Sequence, residues 1–130
     1  MRILHYFLGF PPYRTGGLTK YCCDLMESQN KNGDIVFALW PGKMSFIFKN
    51  IKIKKNRDIN CIKSFEIINP LPVSLDEGIR DFESYMKKGK EKVYERFLKK
   101  IHPDIIHVHT LMGIHYEFFY VAKKLKIKIG

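Results

Sequence analysis

Several features that mark other classes of protein are missing from this sequence. No apolar run approaches the roughly 20 residues needed to cross a bilayer. The apolar stretch from Ile3 to Phe10 is interrupted by His5 and Gly9, stops at two prolines and has no small-residue cleavage site, which indicates a first strand instead of a signal peptide. We therefore expect a soluble or peripheral protein.

Cysteine is scarce and wrongly spaced for disulfide or metal chemistry. The three cysteines, Cys22, Cys23 and Cys61, contain no Cys-x-x-Cys pair, and adjacent cysteines on a helix do not readily bridge each other. Neither a disulfide framework nor a zinc site is expected, and Cys22 is interpreted as a small core residue. The reducing cytoplasm is the compartment that fits best.

Acidic residues are also few, since 13 Asp and Glu stand against 23 Lys and Arg, a formal net charge of +10. This excess favours anionic partners, namely phosphorylated ligands, nucleic acid or the anionic face of a membrane, although lysine runs are usually solvated surface. The aromatic residues follow apolar stripes and do not alternate with lysines, so no nucleic-acid partner is expected. Peripheral contact with the inner face of the cell membrane stays an expectation. A non-catalytic basic domain for nucleic acid or acidic polymer stays the alternative function.

What the sequence does contain is an alternation of strand and helix patterns. The nearly continuous apolar segment "RILHYFLGF" is typical of a strand buried on both faces of a parallel sheet. The apolar residues that follow recur at helical spacing: Leu18, Tyr21, Cys22, Leu25 and Met26. Gly33 is the expected C-terminal cap, and "DIVFALW" predicts a second strand that ends at Pro41-Gly42. Together these make a βαβ unit, which requires a parallel sheet.

The rest of the chain continues the alternation less regularly. Two short strands, in "MSFIFKNIKI" and "NCIKSFEIINP", are predicted around the turn "KKNRD", and "INPLPVSL" is predicted as an extended loop. A helix is expected from Leu75, interrupted by Gly89. The elements after it are a helix with the stripe Tyr94, Phe97, Leu98 and Ile101, a strand from Asp104 to His109, a helix with Phe118, Val121, Ala122 and Leu125, and a strand in "IKIG". The predicted fold is α/β, a Rossmann-like, doubly wound, mainly parallel sheet with flanking helices, in one domain over residues 1–130.

Gly16 and Gly17 lie where the loop after the first strand opens into a helix. In doubly wound folds this is where ligands bind, because the helix N-terminus presents free N–H groups and a partial positive charge. Glycine lets a phosphate or sugar approach the main chain, so a diphosphate is the natural ligand. The segment "GFPPYRTGGLTKY" matches neither Gly-x-Gly-x-x-Gly nor the P-loop, and a plain tight turn is the alternative.

The second candidate site is the segment "DIIHVHT". In a strand His107 and His109 share a face, and His109 lies last, at the carboxyl end. A His-x-His pair alone is weak evidence for a metal, and no further ligand lies near in sequence, so no metal is expected. His107 is interpreted as a hydrogen-bonded core or supporting histidine, and His109 as the one placed to bind a sugar hydroxyl. His5, His102 and His115 are expected to be structural.

The order of "FPPYRTGGLTKY", a helix ending in Asn-Gly, "ALWPG" and "HPDIIHVHTLMG" resembles the N-terminal domain of family 4 glycosyltransferases, over essentially all 130 residues. The resemblance implies the two-domain GT-B fold and a retaining transfer of a sugar from a nucleotide diphosphate sugar to an acceptor hydroxyl, with no metal or other cofactor. The "INPLPV" loop and the Lys-rich hairpin look like those of members that build bacterial capsular or extracellular polysaccharide. The acceptor is then a saccharide or a lipid-linked molecule.

The resemblance also implies roles for three residues. Gly16 and Gly17 form the loop whose backbone approaches the donor diphosphate and the sugar or acceptor, and His109 hydrogen-bonds the donor sugar while the glycosidic bond breaks. The segment "NGDIV" departs from the family pattern Gly-His-Glu/Asp-Val, and the family's C-terminal nucleotide-sugar-binding domain has no counterpart in these residues. We therefore expect a truncated acceptor-side domain that is inactive alone and self-associates through exposed apolar surface.

Overall fold

The computed structural model of the protein describes residues 1–11, 14–43, 51–70 and 90–130. Within these ranges the chain forms a six-stranded, mostly parallel mixed sheet and three helices. The strands are β1 (Arg2–Tyr6), β2 (Ile35–Pro41), β3 (Lys52–Lys55), β4 (Lys63–Ile68), β5 (Ile105–Val108) and β6 (Lys128–Ile129). The helices are α1 (Gly17–Lys31), α2 (residues 90–101) and α3 (Tyr116–Lys124).

The order of the strands creates a reversal in the middle of the sheet. The order is β3-β4-β2-β1-β5-β6, and β3 is antiparallel to β4 while the other pairs are parallel. The chain leaves β1 through α1 to its neighbour β2, which confirms the predicted βαβ unit. Because β2 lies on one side of β1 and β5 on the other, the strand order reverses between β1 and β5. Open α/β sheets leave a ligand crevice at such a point, outside the carboxyl ends of the strands.

Two apolar clusters cover the two faces of the sheet. Side chains alternate along β1, so Leu4 and Tyr6 pack on the side of α2 and α3, whereas Phe7 packs with Cys22 and Met26 of α1. Cys22 is thus confirmed as a core residue. The predicted stripes of the two later helices are buried, except that Leu125 at the end of α3 is only partly buried. The buried residues are Tyr94, Phe97, Leu98 and Ile101 in α2, and Phe118, Val121 and Ala122 in α3.

The first strand and the first helix differ from their predictions. β1 ends at Tyr6 instead of Phe10, because the chain turns away at Gly9, where φ is +132°. Leu18 and Tyr21, predicted for the buried stripe of α1, are 46% and 56% exposed. Leu18 lies one turn before Cys22 on the same helix face, so the first turn of α1 extends past the apolar cluster.

The helix cap is as predicted, and the antiparallel hairpin forms as predicted except that β3 includes Lys54 and Lys55, which were predicted to begin the turn. Gly33 follows α1 at φ +95° and donates its N–H to Asn30 O. β3 and β4 form the antiparallel pair, with Ile51 buried and Lys52 and Lys54 exposed. The part of the first hairpin strand in residues 44–50, and the loop and helix predicted within residues 71–89, lie outside the described residues.

Among the helices in the described ranges, none has both the length and the apolar character that a membrane crossing requires.

Candidate functional site

Gly16 and Gly17 lie at the carboxyl edge of the sheet, at the start of α1. Gly16 is the N-cap residue with φ +113°, a conformation that L side chains rarely adopt. Gly17 is the first helical residue, and a Cβ built on either glycine meets no atom of the described residues within 4 Å. As far as the described residues show, space is open above both glycines, as a ligand that approaches the backbone requires.

The start of α1 is also electropositive. Among the residues that the structure describes, no side chain caps the helix, and its first turn contains no acidic residue. Since the first N–H groups of an α-helix have no partner within the helix and carry a partial positive charge, this end favours an anionic ligand.

His109 follows β5 directly and is held against the end of β1. Its N–H donates to Tyr6 O over 3.0 Å, and its half-buried ring lies edge-on to Tyr21, with ring centroids 6.1 Å apart. Tyr21 is one turn after Gly17 in α1. The structure therefore brings His109 close to the first turns of α1, beside the reversal between β1 and β5.

The loop that follows His109 is fixed by two contacts. Tyr6 donates its hydroxyl to Met112 O over 2.6 Å. Gly113 has φ +79°, and a Cβ there would be 2.8 Å from Pro41 Cβ. This close packing requires glycine and holds the loop at the edge of the crevice.

The histidine beside His109 was not assigned to the site by sequence reasoning. His5, interpreted as structural, is fully buried in β1 and lies in register with His107 of β5. Its Nδ1 is 2.9 Å from His109 Nε2, and its Nε2 is 2.6 Å from Gln29 Oε1 of α1. The His5 and His109 ring planes differ by 16° and the centroids are 5.2 Å apart, so the rings meet end to end.

Gln29 was also missed, although the sequence contains a signal for it. Gln29 comes three residues after Met26 and seven after Cys22, so it continues the buried stripe of α1 with a polar side chain. A polar group on such a stripe needs a polar partner, and His5 is that partner.

Burial keeps the two hydrogen-bonded histidines neutral. It lowers the pKa of His5 to about 4. The hydrogen bond to Gln29 raises this pKa, whereas the nearby His107 lowers it further, and the effect of burial is the largest. Burial also lowers the pKa of His109 to about 4, helped by its neighbours His107 and His5. Both imidazoles are therefore uncharged near neutral pH.

The three histidines do not form a ready metal centre. Their ring nitrogens lie within 4.8 Å of one another, but zinc at about 2.0–2.1 Å from each ligand nitrogen holds two such atoms roughly 3.3 Å apart. His5 Nδ1 and His109 Nε2 are closer, at 2.9 Å, and point at each other. His107 lies over His109 with centroids 4.0 Å apart and planes 27° apart, so one ion cannot lie along both lone pairs. As it stands, this is a hydrogen-bonded cluster.

The other two histidines are outside the site. His115 is buried at the N-cap of α3, where its Nδ1 and Tyr94 Oη share a hydrogen bond of 2.6 Å, as the structural interpretation of this histidine expects. His102 is exposed at the end of α2, where φ is +52° and its N–H donates to Leu98 O.

A cavity of about 550 Å³ lies beside this edge, between the loop after β1 and the ends of β2 and β4. The Trp40 indole lies edge-on to Phe10 in its wall, with centroids 5.4 Å apart. Among the described residues that line it, the charged ones are Arg14, Lys43, Arg57 and Glu66. Apolar ring faces and charged groups together suit a polar, ring-shaped ligand.

Fold and site together define an α/β protein whose mostly parallel sheet carries a helix N-terminus and a histidine cluster at one edge. In comparison with known proteins, no family model matches the chain and no curated protein matches it. Function is therefore inferred from the residues and their geometry.

Proposed function

We propose that this chain is the acceptor-side, N-terminal domain of a retaining glycosyltransferase with GT-B architecture. It takes part in moving a sugar from a nucleotide diphosphate sugar to a saccharide or lipid-linked acceptor, in the cytoplasm, during polysaccharide synthesis. The sheet is then the Rossmann-like first half of a two-domain enzyme. The observation that supports this best is the meeting of His109 with the first turns of α1 at the reversal between β1 and β5.

The start of α1 is suited to the leaving group. As the bond between the sugar and the diphosphate breaks, negative charge builds up on the departing phosphate oxygen, and donors already pointing at that oxygen lower the barrier. The N–H groups at Gly16 and Gly17 are such donors, and the open space above them admits a phosphate or a sugar. A side chain at Gly17 would occupy that space.

His109 is suited to the sugar. The transition states of glycosyl transfer have oxocarbenium character, so the sugar ring becomes positive. A neutral imidazole can accept a hydrogen bond from a sugar hydroxyl without adding a repelling charge, and the lowered pKa of His109 keeps the ring neutral. This role needs no metal.

The 550 Å³ cavity is the proposed place for the acceptor. The faces of a sugar ring are apolar and pack on aromatic side chains such as Trp40, while Arg14, Lys43 and Arg57 can bind a phosphate or carboxylate of the acceptor. The cavity opens at the same edge of the sheet as the two glycines, so donor and acceptor can meet there.

The test is sugar transfer by the protein purified from its native host. Its intact mass shows whether a second domain of similar size accompanies these residues, and labelled sugars on a panel of nucleotide diphosphates are offered with the host's lipid and polysaccharide fractions. We expect transfer that falls about 100-fold in His109→Ala and Gly17→Val and is kept in Ser28→Val, an exposed control on α1. Full transfer by both site variants, or no transfer from any donor by the unaltered protein, contradicts the proposal.

One observation favours the alternative of a non-catalytic basic domain. A cavity of about 450 Å³ between β3 and α2 has the cations Lys52, Lys55, Arg96 and Lys100 in its described lining and no acidic residue there. If this surface binds nucleic acid or acidic polymer, affinity falls steeply with salt. The double change Arg96→Glu with Lys100→Glu then abolishes polymer binding, whereas it leaves sugar transfer intact if the glycosyltransferase proposal is right.

A further inference from the structure

We infer that His5 and Gln29 are positioning residues that hold His109 in a single tautomer, with Nε2 protonated and Nδ1 bare. This assignment deepens the proposed function, on which its use in sugar binding rests. It follows from the direction in which each hydrogen bond of the cluster must run.

Gln29 determines which atoms of the cluster donate and which accept hydrogen bonds. An amide oxygen can only accept a hydrogen bond, so the 2.6 Å contact between Gln29 Oε1 and His5 Nε2 requires a proton on that nitrogen. A neutral imidazole carries one ring proton, which leaves His5 Nδ1 bare.

The contact between His5 and His109 then determines the tautomer of His109. His5 Nδ1 is an acceptor and lies 2.9 Å from His109 Nε2, so His109 must donate from Nε2. The end-to-end arrangement of the rings points the N–H at the lone pair, which is the favoured geometry. His109 Nδ1 is then bare, and among the described residues nothing donates a hydrogen bond to it.

The consequence concerns what His109 can recognise. With Nδ1 bare, His109 accepts a hydrogen bond from a ligand hydroxyl and cannot donate one to a ligand carbonyl or phosphate through that atom. His107, stacked on His109 at 4.0 Å, limits rotation of the ring and keeps Nδ1 in place. The fold thus presents a fixed acceptor to a hydroxyl, as a sugar requires.

Replacing the acceptor at position 29 by a donor tests the assignment. In Gln29→Lys an ammonium group, which can only donate hydrogen bonds, replaces the amide oxygen, so His5 accepts through Nε2 and carries its proton on Nδ1. His5 then donates from Nδ1, so His109 Nε2 must accept and its proton moves to Nδ1. The tautomer of His109 is expected to invert.

The measurement is long-range proton–nitrogen NMR of the histidine rings in the nitrogen-15-labelled 130-residue chain near neutral pH. In the unaltered chain we expect the Nε2-protonated form of His109 in about tenfold excess, and in Gln29→Lys the Nδ1-protonated form. Ser28→Lys places the same charge on the exposed side of α1 and should change nothing. The exposed His102 is an internal reference.

A second variant tests the assignment if Gln29→Lys does not fold. Gln29→Met removes the acceptor without adding charge, so both tautomers of His5 and His109 should be seen. A protonated Nδ1 on His109 in the unaltered chain overturns the assignment, as does a His109 tautomer that is the same in every variant that folds. Because no substrate is present, failure of this assignment is distinguishable from failure of the transferase proposal.

Discussion

At the scale of single residues, the two adjacent glycines are needed for different reasons. Gly16 has φ +113°, so Gly16→Ala strains the backbone and should lower the free energy of unfolding by about 1–3 kcal/mol. Gly17 lies in the helix with open space around it, so Gly17→Ala should raise that free energy by about 0.4–1 kcal/mol. Urea unfolding of both variants measures the difference. Equal effects of the two changes would show that the local backbone is not as described.

A stabilised Gly17→Ala protein also separates folding from ligand approach. If it folds well and still transfers sugar at the normal rate, the open space above Gly17 is not used by the donor. If transfer falls while stability rises, the space is occupied during the reaction. This makes Gly17 a cleaner position than Gly16 for testing the site.

The site was partly predictable from single residues. The positions of the glycines and of His109 follow from where strands end and helices begin, which the apolar pattern reveals. The pairing of His5 with His109 depends on two strands 104 positions apart in the chain becoming neighbours, and strand order is not contained in local pattern. Gln29 carried a local signal, but its partner on β1 depended on how α1 packs on the sheet.

At the scale of elements, the middle and the first turn of α1 should lose different amounts of stability when a large side chain is changed to Ala. Met26 is fully buried in the cluster between α1 and the sheet, so Met26→Ala should cost about 2–5 kcal/mol of unfolding free energy. Leu18, 46% exposed on the same helix, should cost less than about 0.5 kcal/mol when changed to Ala. Thermal or urea unfolding checks both values. A large loss at Leu18 would mean that the first turn of α1 is covered and not open.

The contact between α2 and α3 gives a second prediction at this scale. Tyr94 Oη and His115 Nδ1 share a buried hydrogen bond, so Tyr94→Phe leaves that nitrogen without this partner and should lower the unfolding free energy by about 1–3 kcal/mol. Tyr120→Phe removes a hydroxyl from the 50% exposed side of α3 and should have almost no effect. Similar urea midpoints for the two variants would argue that Tyr94 and His115 are not bonded.

Elements were predicted best where apolar spacing alone defines them. The stripes of α2 and α3 were predicted because each contains several large apolar residues at helical spacing, and burying such residues on one face stabilises the helix against the sheet. α1 was predicted correctly as a helix, and Cys22 and Met26 of its predicted stripe are buried, whereas Leu18 and Tyr21 near its start are exposed. Spacing shows which residues share a face, while the length of the partner surface decides how many of them are buried.

At the scale of the whole molecule, buried neutral histidines should make the fold sensitive to acid. The pKa of His5 falls to about 4 and that of His115 to about 3, in both cases mainly through burial, whereas an unfolded histidine has a pKa of about 6.5. Between those values the unfolded chain binds more protons than the folded one. The free energy of unfolding is therefore highest above about pH 6.5 and decreases as the pH falls towards 4.

The loss of unfolding free energy on acidification is large enough to measure. For His5 alone the shift corresponds to about 3 kcal/mol lost over this range, and the groups facing its ring, His107 and His109, add repulsion once charged. Urea unfolding as a function of pH should show a steep slope in the unaltered chain and a shallower one in His5→Gln, while His102→Gln, at an exposed position, should keep the slope. The net charge of +10 adds a general repulsion as carboxylates are protonated at lower pH, so a decrease confined below about pH 4 would point to carboxylates and count against the buried histidines.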